Sequence, residues 1–129
     1  MSVAINIHEE VSMAQAQIND YDRTMWALGW YLKRERTSGR FKEHSLSAFG
    51  RAIGMSHSGY NKLEAGESPN LKAWFAIMEH IGKRFSRVLL MAEAIATELE
   101  LEEDLRGRPL EEHERERVAS RLFDTFQNL

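Results

Sequence analysis

The 129-residue sequence contains no cysteine and only two prolines. Without thiols there is no disulfide framework, no thiolate metal site and no cysteine nucleophile. The five histidines, at 8, 44, 57, 80 and 113, lack the spacing of metal ligands, so neither a metal nor a cofactor is expected. No apolar run approaches the roughly 20 residues of a membrane-spanning helix. The opening MSVAINIHEEVSM has neither the basic start nor the apolar stretch of a secretion signal, so the expectation is a cytoplasmic protein with no membrane partner. A nucleophile motif, a glycine-rich phosphate loop and a paired histidine and acid cluster are also missing, which argues against an enzyme.

Prolines occur only at 69 and 109, and no stretch alternates in the β-branched manner of strands. The chain therefore reads as all-α, helices joined by short turns around one modest core. Small or apolar residues from Ala4 through Ile7, Val11, Ala14, Ile18, Tyr21, Met25 and Leu28 to Leu32 keep a seven-residue repeat. They predict one long helix or two nearly collinear ones. Asn19 or Asp20 offers a cap for a second helix, Gly29 weakens the interior, and TSGR at 37–40 ends it.

SLSAFGRAIG at 45–54 predicts a short helix capped by Ser45 and closed by Gly54. Ser56 caps the next, with Tyr60 and Leu63 on one side and His57, Ser58, Asn61 and Lys62 on the other. After Pro69 a fourth helix places Leu71, Trp74, Phe75, Met78 and Ile81 at helical spacing and stops at Gly82. Ser86 is expected to cap a longer helix, apolar early and acidic late, until RGRP at 106–109. Pro109 suits the first position of a last helix whose stripe is Val118, Leu122, Phe123, Phe126 and Leu129.

Charge is divided along the chain: residues 1–32 carry −3, residues 33–87 carry +6 and residues 88–129 carry −6. A basic middle between acidic ends allows one surface to meet a polyanion although the whole carries −3.

SLSAFGRAIGMSHSGYNKLEAGES resembles the lambda-repressor-like, Xre-type DNA-binding domain. The likeness lies in Ser45, the pair Phe49 and Gly50, Gly54, Ser56, Leu63 with Glu64, and Gly66. Leu28, Gly29, Leu32 and Arg36 resemble the family's first helix; Pro69, Asn70 and Leu71, with the helix to Gly82, resemble its fourth. The resemblance implies a five-helix helix-turn-helix domain over residues 24–95, with a helical extension at 1–23 and an acidic helical extension at 96–129.

By the same resemblance His57, Ser58 and Lys62 would read base edges, with Gly59 allowing close approach. Ser45, Arg51, Ser56, Asn61, Ser68, Asn70 and Lys72 would lie along phosphates. Leu46 and Glu67 depart from the family's usual polar and basic residues, and Arg40 and Lys42 in the connection would replace the lost contacts. Arg36 and Glu64 are implied to pair and hold the recognition helix. The expected function is a homodimeric repressor that binds double-stranded DNA. The alternative is an antitoxin or adapter of the same fold, binding a partner protein through its helical extensions. The stripes at 4–32 and 118–129 are the available dimer surfaces, unless each packs on its own domain.

Overall fold

A computed structural model describes residues 3–38, 46–67 and 70–127, with side chains from 20 onward in the first helix and from 48 onward in the second. The described residues form six helices and no strand: α1 (Val3–Thr37), α2 (Leu46–Ala52), α3 (His57–Glu64), α4 (Leu71–Ile81), α5 (Phe85–Arg106) and α6 (Glu112–Gln127). The protein is all-α, and none of these helices is long and apolar enough to cross a membrane.

α1 runs through the suggested break as one helix of 35 residues, about 52 Å at 1.5 Å per residue. Asp20 caps nothing; its carboxylate takes Arg23 Nη1 at 2.9 Å. The second half of α1 carries the core residues Met25, Leu28, Tyr31 and Leu32, all under 7% exposed. That part of the heptad stripe is thus committed within the domain, whereas Tyr21 stands half exposed. The stripe positions from Ala4 to Ile18 have side chains outside the described residues.

α5 packs antiparallel on α1. Its buried residues Val88, Met91, Ala92, Ile95, Ala96 and Leu99 recur every three or four positions, so one face follows the α1 groove. At one end Arg23 reaches Glu103 at 2.7 Å; at the other Tyr31 lies by Val88 and Met91. α6 returns along both, with Phe123 edge-on to Trp30 at 5.8 Å and tilted on Tyr31 at 6.0 Å. Val118 is buried, and Leu122, Phe123 and Phe126 pack against the same core. This stripe packs on the chain's own core; Leu129 lies outside the described residues.

Three expectations are corrected. Ser86 does not cap α5, which starts two residues earlier than that cap implies because Phe85, stacked on Trp74 at 6.0 Å, is drawn into the core; Arg84 takes the cap position with no side-chain bond. Pro109 lies in the turn, and α6 opens at Glu112. Leu71 and Phe75 stay about 60% exposed, since Trp74, Ile77, Met78 and Ile81 define the buried face of α4 and Phe75 lies about 100° to its side.

The start of α6 is held by Glu114, buried among cations. Its carboxylate accepts from Arg108 at 2.8 and 3.0 Å, from Arg106, and from the Glu111 backbone N–H at 2.9 Å. The last bond is the return half of a capping box. The Arg108 hydrogen bonds first, then the Glu111 N–H, hold the carboxyl down to about 2 from its ordinary 4.5. A lowered folded-state pKa contributes stability that is present above about 4.5 and is lost as pH falls toward about 2. Melting temperature, followed by circular dichroism, is expected to fall through this window in the native protein and to change less in Glu114→Gln, which melts lower at pH 7.

Candidate nucleic-acid interface

α2 and α3 are joined by a four-residue turn, Ile53 to Ser56. Gly54 takes φ +76°, a conformation that favours glycine, and the Met55 N–H returns to the Gly50 carbonyl at 2.8 Å. At Gly50 an added Cβ would lie 3.2 Å from the Cβ of Tyr60, so the two helices cross where a side chain has little room. Phe49 meets Tyr60 edge-on at 5.2 Å. The turn and the crossing together fix how α3 leaves the domain.

Successive residues of a helix are rotated by about 100°. On α3 this puts His57, Asn61, Ser58 and Lys62 on one arc of about 140°. All four are exposed, while Tyr60 and Leu63 on the opposite side are fully buried. The outward arc bears no acidic residue. Gly59 does not belong to it: an added Cβ there would meet the Ser56 hydroxyl at 3.2 Å and the Met55 methyl at 3.5 Å, so its open side faces the helix cap. Ser56 is the N-cap, accepting from the Gly59 N–H at 3.0 Å.

Two attachments secure the far end of α3. Arg36 Nε and Nη2 donate to the Glu64 carboxylate at 2.5 and 3.1 Å, with side-chain exposures of 12% and 7%. The Glu64 hydrogen bond and charge keep the guanidinium above its ordinary range despite the opposing effect of burial. Tyr60, beside this pair, is a neutral phenol, its pKa raised by burial and then by the Glu64 carboxylate. The second attachment is backbone on backbone. At Gly29 an added Cβ would lie 2.9 Å from both the Glu64 carbonyl carbon and the Gly66 nitrogen, and at Gly66, where φ is +73°, it would lie 2.7 Å from the Met25 carbonyl oxygen. The sequence presents Gly29 as a weak point in a helix; in the fold it is where α1 touches the end of α3.

The remaining candidates are dispersed. Arg51 in the last turn of α2 and Lys72 at the start of α4 are exposed. Asn70 is also exposed, but its Oδ1 caps α4 by accepting from Ala73 N at 3.2 Å, leaving only its amide N–H groups to reach a phosphate. Arg40, Lys42, Ser45 and Ser68 lie outside the described residues. Glu67 is exposed immediately after Gly66. Among the described residues no group of histidines and acids could hold a metal ion. Comparison with family models, with curated proteins and with solved structures finds no match to this chain.

Proposed function

We propose that this protein is a sequence-specific DNA-binding regulator, a homodimeric repressor of the lambda-repressor-like helix-turn-helix type, with α3 as its recognition helix. The observation that carries this reading is the exposed arc of His57, Ser58, Asn61 and Lys62 on a helix whose other face is fully buried. Small polar side chains on the first turn let a helix enter a major groove about 12 Å wide. The partial positive charge at its N-terminus favours nearby phosphate. Lys62 and His57 donate to guanine N7 or O6, Ser58 is permissive, and Asn61 runs near the sugar-phosphate backbone. Arg51 and Lys72 supply charge that carries no sequence information. With the C-terminal stripe packed on α1, the N-terminal heptad stripe is taken as the dimer surface in this reading.

A second reading, an adapter that binds a partner protein, is favoured by Leu101 and Leu105, 52% and 84% exposed on the acidic half of α5. Fluorescence anisotropy against the DNA flanking the gene separates the two. The regulator reading expects log K to fall by about 0.9 per log unit of salt for each neutralised phosphate, with a specific duplex outcompeting random DNA. Lys62→Ala is expected to reduce the preference for that duplex by about 1–3 kcal/mol, whereas Lys72→Ala weakens all duplexes alike. A Lys62→Ala protein with unchanged base preference would show that α3 does not read the groove.

A further inference from the structure

Away from α3, a cleft of about 450 Å³ opens where α1, the start of α5 and the end of α6 meet. Its floor is apolar, formed by Val88, Met91, Phe126 and the ring of Tyr31. Its rim is cationic: Lys83, Arg84 and Arg87 are exposed, and none has an ion-pair partner among the described residues. Among the described residues no acidic side chain lines it. Behind the floor Glu35 acts on the Tyr31 phenol, whose pKa burial first and Glu35 second raise, so the hydroxyl keeps its proton.

We propose that this cleft binds a small amphipathic carboxylate, its hydrocarbon body on the Met91 and Phe126 floor and its head group among Lys83, Arg84 and Arg87. The volume lies within the range of small-molecule sites, about 300–1,000 Å³. An apolar floor alone would take any hydrocarbon. Three cations at the rim, unpaired among the described residues, beside a 22-residue helix whose first turn lacks a side-chain cap, select for an anion there. The two halves of the cleft thus specify the two halves of the ligand. The site shares no residue with the outward arc of α3, so its test is independent of the DNA reading.

Isothermal titration without DNA, using hexanoate, octanoate and decanoate, tests it. Octanoate is expected to saturate at one per chain, and each added methylene to tighten binding about three- to fourfold. Octanamide, of the same length but neutral, is expected to bind at least tenfold more weakly. Arg84→Gln with Arg87→Gln, both on exposed side chains, removes that difference while circular dichroism shows an unchanged fold. Equal binding of octanoate and octanamide, a double variant that binds octanoate as the native protein does, or inorganic phosphate binding as tightly as octanoate would each overturn the proposal.

Discussion

Arg36→Ala is expected to lower the unfolding free energy by about 3 kcal/mol, the low end for breaking a buried ion pair because the guanidinium keeps a solvent edge. The loss comes less from the attraction removed than from what is left behind. Glu64 is 7% exposed, and without Arg36 its carboxylate stays desolvated next to the buried Tyr60 ring. At about 3–6 °C per kcal/mol for a chain of this size, the melting temperature should drop by roughly 10–15 °C. Arg36→Met with Glu64→Met discriminates the causes: with both charges gone the desolvation penalty goes too, and most of the stability returns. An Arg36→Ala protein melting within 2 °C of the native one, about half a kcal/mol, would show that the pair does not hold α3 in solution.

The second large effect is expected at Gly29, with a sign opposite to that of helix propensity. In an isolated helix Gly→Ala stabilises by about 1 kcal/mol. Here the new methyl group would press on the Glu64 carbonyl carbon and the Gly66 nitrogen, both 2.9 Å away. Backbone atoms cannot turn aside as side chains do, so α1 and α3 must separate, at a typical overpacking cost of about 1–3 kcal/mol. Larger residues should fare worse, and Gly29→Val is expected to prevent folding. Gly59→Ala is the control: its Cβ meets no backbone, only the flexible Met55 methyl and the Ser56 hydroxyl at 3.2 Å, which a shift of a few tenths of an ångström accommodates within its cap hydrogen bond. Urea unfolding should show Gly29→Ala destabilised by about 1–3 kcal/mol and Gly59→Ala within about 0.5 kcal/mol of native. A stabilised Gly29→Ala would mean the helices are not in contact there.

Legibility from sequence follows the range of the physics. The helical class and the ends at Gly54, Gly66 and Gly82 are local: a left-handed residue, a capping serine or an apolar period acts within one turn. Ser86 misleads because a good capping residue competes with burial of Phe85, and burial wins. Phe75 misleads because periodicity fixes a stripe to within a residue or so, and Trp74 settles the rotation of α4. The stripe at Val118 is visible in sequence, but an amphipathic face does not name what covers it; only the packed Trp30 and Tyr31 do. Gly29 and the cleft at Tyr31, Arg87 and Phe126 are hidden for the same reason, since each joins segments far apart in the chain.

The polar arc of α3 was legible because alternation within eight residues determines it once Tyr60 and Leu63 are buried. Whether that arc meets DNA is tested most directly by titrating the ¹⁵N-labelled protein with the gene's flanking duplex and following amide resonances. The largest shifts are expected on His57, Ser58, Asn61 and Lys62, with smaller ones at Arg51 and Lys72. Resonances of α3 that stay in place while the duplex binds elsewhere, or a spectrum unmoved at low ionic strength, would contradict it.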